Sequence, residues 1–381
     1  MEFVFYYLII YSFVPLTLNS IYKKNKYSGI VIGENFTPYK LNVQLFLSIL
    51  VYSLLVGFAY NTGQDYHHYF DHFIYEVNNR IYPWGEYKEI GYQIFIEVLS
   101  SLFDTPVAFF VSCAFLNSLA WSMVSSLYGK SSGYVMFMLY IFLFPLSMNL
   151  YRQYIAIALI MIAFCLLSRN NSKLSICSKQ TIFISLILVL AFYFHSTSII
   201  GVIMYFICFI LCKVRINKWL IIISIIVATI IGNKILYVFF SGFNTIVQVS
   251  HTITNRGYEF EEMLETQWGF SRMTYVIMII HVIYIWYADK KLTINEHCKF
   301  LYYSMALTYV LIPLSMQEIL LRIRIYMVPF MSIGLGLTLY LNMKQGVNKS
   351  YPLLFALILD FVYSCYNLYN MGENFPLQYY L

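Results

Sequence analysis

"GYVMFMLYIFLFPLSMNLYRQYIAIALIMIAFCLLS", residues 133–168, carries a single charge, Arg152. A helix crossing a bilayer needs about 20 apolar residues, so this run is too long for one crossing. Pro145 and Asn149 fall in its middle, and proline followed by asparagine breaks a helix. The run therefore predicts two short helices joined by a tight turn, with Arg152 and Gln153 at the tip. Residues 181–212 repeat the pattern, broken at "HSTS", 195–198, with His195 at the tip.

The rest of the chain extends this reading. Of its 381 residues 60% are hydrophobic and 11% charged, and the mean hydropathy is +0.68. A soluble domain has about a quarter of its residues charged. Apolar runs at 2–22, 41–60, 105–128, 133–147, 150–168, 181–194, 196–212, 219–240, 271–288, 300–317, 325–343 and 352–370 predict an all-α, polytopic integral membrane protein with about 12 crossings. Residues 1–381 form a single transmembrane domain. The first run lacks a basic leader region and carries Glu2, so it reads as a retained helix. The seven cysteines imply no disulfide framework.

Charge sets the sidedness. The run 89–103 is short, and Gln93 and Glu97 share one of its helical faces. If it does not span, eight of the 24 lysines and arginines (Arg80, Lys88, Arg152, Lys234, Arg256, Arg272, Arg322 and Arg324) lie on one side and the other 16 opposite. The richer side is then cytoplasmic, and both termini lie outside. Spanning would abolish that bias, so 89–103 is expected to be re-entrant or half-buried. In 66–79 the apolar positions Tyr66, Tyr69, Phe70, Phe73, Ile74 and Val77 make the stripe of a helix lying on the membrane.

The outer basic residues are mostly arginines, although the positive-inside bias works against them. Arginine offers a planar fork that matches phosphate oxygens. Four stretches bring titratable groups to outer helix ends: "NTGQDYHHYFDH" (61–72), "YRQYIA" (151–156), "FHSTSII" (194–200) and "LLRIRIY" (320–326). Each has a plainer reading. Asp65 is an N-cap candidate for the helix that follows. His195 could bond only backbone in its turn. His67, His68, Asp71 and His72 have ligand spacing but also make a solvated helix face, and no metal is assigned. Arg80 and Arg256 could pair with local carboxylates, whereas Arg152 has no acid within ten residues. Asp360, mid-helix, is read as one half of a buried pair.

These stretches together resemble the EpsG-like and Wzy-type polysaccharide polymerases. "GQDYHHYFDHF" resembles the family's G-x-D-Y-x-x-Y motif. "EIGYQIF" resembles its E-P-G-F stretch, with Ile90 in the place of proline. "YRQYIAIAL", "FHSTSII" and "RIRIY" resemble its R-Q, F-H and late R-x-x-x-Y motifs. The order holds over about residues 40–330. The resemblance implies a GT-C-like bacterial inner-membrane enzyme facing the periplasm. Such an enzyme joins oligosaccharide repeats carried on polyprenyl pyrophosphate, as in O-antigen and lipopolysaccharide biosynthesis. Its partners would be a lipid-linked donor and acceptor, membrane lipid, a flippase and a chain-length regulator, with no nucleic acid and no cofactor. Segments 61–104 and 241–270 would contribute to the cleft. The catalytic candidates are Asp65, His195 and Arg152. Arg322, Arg324, Gln153, Arg272, Arg256, Arg80 and Tyr326 are the candidates for holding pyrophosphate and substrate.

Three rival readings fit these residues less well. A transferase using a polyprenyl monophosphate sugar often pairs such an acid with a second one, and Asp65 lacks an adjacent D-x-D partner. A lipid-linked oligosaccharide flippase would place its cations in a central cavity. A membrane O-acyltransferase would face its histidine to the cytoplasm, and His195 maps outside.

Overall fold

The computed structural model describes residues 43–60, 65–78, 89–148, 150–169, 179–214, 216–242, 272–293, 296–314, 318–370 and 378–379. The crossing expected at 2–22 and most of the outer segment 241–270 lie outside these residues, as do Arg80 and Arg256.

In chain order the helices are α1 (Val43–Gly57), α2 (Tyr66–Val77), α3 (Ile90–Leu102), α4 (Val107–Ser125), α5 (Ser132–Ser147), α6 (Tyr151–Arg169), α7 (Lys179–Phe194), α8 (Ser198–Leu211), α9 (Lys218–Gly242), α10 (Arg272–Leu292), α11 (Glu296–Leu314), α12 (Glu318–Met343) and α13 (Val347–Asn370). A two-stranded antiparallel pair, β1 (Ala59–Tyr60) with β2 (Gln378–Tyr379), ties the end of α1 to the C-terminal tail. The helix ends follow the apolar runs closely. The breaks between α5 and α6 and between α7 and α8 fall at 148–150 and 195–197. The late helix departs from expectation: α12 begins at Glu318, well before 325, and takes Arg322 and Arg324 inside its first turns.

Among the described residues two stretches, Val107–Phe144 and Arg324–Met343, are long and apolar enough to cross a membrane. The first is divided by a 3-10 turn at Ser126–Ser131, where Gly129 takes φ 50°, a conformation open to glycine. Six shorter apolar helices accompany them, among them Tyr151–Leu167, Thr181–Phe194 and Ser198–Leu211. Several carry large apolar side chains on their outward faces: Phe183, Leu186 and Val189 on α7, Ile203, Phe206 and Ile210 on α8, and Leu220, Ile223 and Val227 on α9 are exposed. Exposed apolar surface on this scale requires an apolar solvent. The chain is an all-helical membrane protein.

Helix α12 runs through the centre, and nearly every side chain from Ile325 to Leu339 is buried. Its Gly336 lies so near α5 that an added Cβ would sit 2.6 Å from Val135 Cα. Small residues of this kind let backbones approach in membrane bundles. At one end of the bundle Lys218 Nζ stands 3.9 Å from Asp289 Oδ2 and 4.2 Å from the Trp286 ring centroid. There Tyr303 donates to the Val214 carbonyl at 2.9 Å. At the other end Phe109 and Phe110, which open α4, pack on Tyr66, Tyr69 and Tyr151. Helix α3 begins at this same end. Four residues separate its end from the start of α4.

The stripe on α2 is covered differently from expectation. Tyr66, Tyr69 and Phe73 are buried against protein, and so is His72. The helix lies on the bundle rather than presenting that face to lipid, because the α4 aromatics supply a better-matched apolar surface. Asp360 is buried on α13 and accepts a hydrogen bond from Tyr284 at 2.9 Å, so its pairing is with a phenol.

A candidate active site at one end of the bundle

The site is built where helices begin. Glu89 directly precedes α3, Arg152 is the second residue of α6, and Thr197 directly precedes α8. The first turn of any helix leaves N–H groups without intrahelical partners and carries partial positive charge. Side chains at such positions usually cap their own helix. Asp65, Glu89 and Thr197 all occupy N-cap positions, and none makes a side-chain capping bond. Their polar groups face elsewhere, which removes the plain capping reading of Asp65.

Glu89 goes to two partners. One carboxylate oxygen accepts a hydrogen bond from Arg152 Nη1, in an ion pair. The other lies 3.1 Å from His195 Nδ1. With its proton on Nδ1 the imidazole donates to Glu89 and leaves Nε2 as a free base. Arg152 Nε donates to the Tyr69 hydroxyl at 3.4 Å, and the guanidinium lies 5.4 Å from the Tyr92 ring centroid. The His72 ring stacks on Tyr92 and its Nδ1 lies 3.3 Å from the Tyr92 hydroxyl. Burial, helped by the charges of His68 and Arg152, pushes His72 down to about 4, so it is neutral at physiological pH. Burial raises the Asp65 carboxyl above the usual carboxylate range, against the opposing pull of His68 and Arg152.

Arg152, which has no acid near it in sequence, thus finds one in space. Glu89 is 63 residues upstream of Arg152 and 106 upstream of His195. The sequence does not single out Glu89, Tyr92 or Thr197, and it offers Tyr69 only as part of an apolar stripe and His72 only as part of a solvated face. The signal for Glu89 was present in "EIGYQIF", where the acid stands two residues before Gly91. Ile90 in place of proline changes little, because it is the first residue of α3, where the N–H needs no intrahelical partner.

Gly91 explains how Glu89 reaches His195. A Cβ added there would sit 2.9 Å from the Tyr193 carbonyl carbon, a backbone atom that cannot swing aside. The start of α3 is pressed onto the end of α7, which His195 directly follows. Gly91→Ala is expected to push α3 away, to cost roughly 1–3 kcal/mol in stability, and to lower activity more than abundance. Thermal unfolding in detergent and product assays check both.

The remaining candidates divide. The Tyr326 hydroxyl lies 3.0 Å from Thr197 Oγ1, which joins α12 to the His195 turn. Arg322 stands one turn before Tyr326 on the same helical face, although its side chain, like that of Arg272, lies outside the described atoms. Arg324 is turned the other way, and its charge is felt by Tyr154 and His281. Gln153 is buried, and its Nε2 has no hydrogen-bond partner among the described residues. The described surroundings of Arg324 lie away from Glu89. No group of three or more metal-ligating side chains occurs among the described residues.

Acid, arginine and histidine from three separated stretches meet at one point, in the order of the motifs quoted above. The profile of the EpsG family matches residues 42–381. The chain belongs to the EpsG family. No curated protein and no solved structure matches it. The match takes in every described element, so the Glu89, Arg152 and His195 stretches all lie within the EpsG-family region.

Proposed function

We propose that this EpsG-family protein is a glycosyltransferase that polymerises oligosaccharide repeats carried on polyprenyl pyrophosphate. It acts at the periplasmic face of a bacterial inner membrane, in the making of O-antigen or a related surface polysaccharide. The observation that carries the reading is the meeting of Arg152, Glu89 and His195 among the starts of α3, α6 and α8. The positive ends of several helices and an arginine fork suit a phosphate-bearing leaving group. A histidine braced by a carboxylate suits proton removal from a hydroxyl.

In this reading Arg152 holds the donor's pyrophosphate and offsets the charge that grows on it. His195 removes the proton of the acceptor hydroxyl, with Asp65 as the other candidate base. Tyr326 and Thr197 hold the His195 turn. Arg322 would be the second arginine, and Arg80, Arg256 and Arg272 would bind pyrophosphate and substrate from the outer segments. The GT-C-like plan of about twelve crossings belongs to the same proposal, as do a flippase and a chain-length regulator as working partners.

Two experiments test it. Purified protein given lipid-linked repeats should yield a ladder of lengthening glycan and release polyprenyl pyrophosphate; a lipid translocated without any new glycosidic bond would replace the polymerase with a flippase. Reporter fusions at 130, 175, 215 and 295 should all report cytoplasm. A periplasmic signal at 175 or 215 would move Arg152 and His195 to the wrong face.

A further inference from the structure

We infer that Glu89 is a positioning residue that donor binding transfers from Arg152 to His195, so that the base becomes fully effective only when a lipid pyrophosphate is in place. The inference rests on the polymerase reading above. Three observations support it. The two oxygens of Glu89 are divided between the two partners, one to the guanidinium and one to the imidazole. The carboxylate serves neither its own helix nor solvent, being at an N-cap without a capping bond and only 9% exposed. The Arg152 side chain is 22% exposed, so an incoming anion meets the guanidinium before it meets Glu89.

The electrostatics then set an order of events. Among the described residues Arg152 and His195 pair with Glu89, and Tyr69, Tyr92, Asp65, His68 and His72 lie around Arg152. A pyrophosphate brings at least two negative charges and fits the guanidinium fork better than a single carboxylate does. Its arrival neutralises Arg152 and repels Glu89 toward His195 Nδ1–H, with which it is already paired. The acceptor hydroxyl then gives its proton to His195 Nε2 while its oxygen bonds to the donor's anomeric carbon. The bond from that carbon to the phosphate oxygen breaks, and its electron pair leaves with polyprenyl pyrophosphate. Glu89 stabilises the imidazolium until the proton passes to solvent.

The test separates binding from turnover. Full-length protein in detergent is titrated with undecaprenyl pyrophosphate, and chain extension is measured on lipid-linked repeats. Glu89→Gln removes the competitor for Arg152 and the support for the imidazolium together. It should bind the lipid roughly fivefold tighter while extending chains at least about a hundredfold more slowly. Glu89→Asp, which keeps the charge on a shorter stem, should show the same split at smaller size if the glutamine variant does not fold. Weaker or equal binding in a folded variant overturns the inference, as does normal turnover. A wild-type protein that neither binds this lipid nor extends chains would instead remove the polymerase reading itself.

Discussion

Arg152→Lys is expected to leave a folded protein that extends chains at least about a hundredfold more slowly, because a point charge replaces the fork aimed at the leaving group. In cells, lipid-linked single repeats should accumulate, or surface glycan should carry one repeat only. Lysine keeps a cation within reach of Glu89, so abundance should hold. Arg152→Ala should be equally inactive and also less stable. It leaves the Glu89 carboxylate buried beside a histidine, and breaking a buried pair from one side costs up to about 3–5 kcal/mol. Glu89→Gln in the alanine background should recover much of that stability without activity. Long-chain glycan at near-normal levels from the lysine variant would show that two-pronged recognition is not the role of Arg152.

The second large effect is at His195. His195→Ala should abolish chain extension while leaving abundance near normal, since the side chain sits in a turn between α7 and α8 rather than within a helix. Loss of a general base costs about 10²–10⁴-fold. Asp65→Asn separates the two candidates. If it is inactive while His195→Ala retains substantial turnover, the proton goes to Asp65, whose carboxyl is already shifted upward by burial. If both variants stay active, neither is the base. His195→Ala should not tighten binding of undecaprenyl pyrophosphate, because Glu89 would stay on Arg152; the contrast with Glu89→Gln distinguishes the two residues.

Most of the helices were legible in the chain. Runs such as 150–168 and 181–194 are apolar all round, and their ends are marked by proline, asparagine and "HSTS". Such punctuation fixes breaks within a residue or two, as Ser147, Tyr151, Phe194 and Ser198 show. Arg152 and His195 stood out for the same reason: each is polar where its surroundings are not. Glu89 did not, because it lies in a polar stretch where an acid is ordinary. Its significance comes only from partners 63 and 106 residues away, and no periodicity encodes a pairing of that range. His72 was misread for a related reason. Helical spacing placed it beside half-buried His68 and exposed Asp71, but the face it occupies is decided by the aromatic side chains of α3 and α4, which pattern alone does not bring near.

The brevity of α7 and α8 has a consequence for the lipid around them. Helix α8 has 14 residues, about 21 Å of rise, against a hydrocarbon layer about 30 Å thick. A hairpin this short either holds its tip several ångströms below the headgroups or draws the leaflet down to meet it. In the second case the phosphates of the surrounding lipid and the His195 turn come to one level. A polyprenyl substrate diffusing in the plane of the leaflet then meets the guanidinium without climbing out of the membrane. The local dimple in bilayer thickness would serve as the entrance.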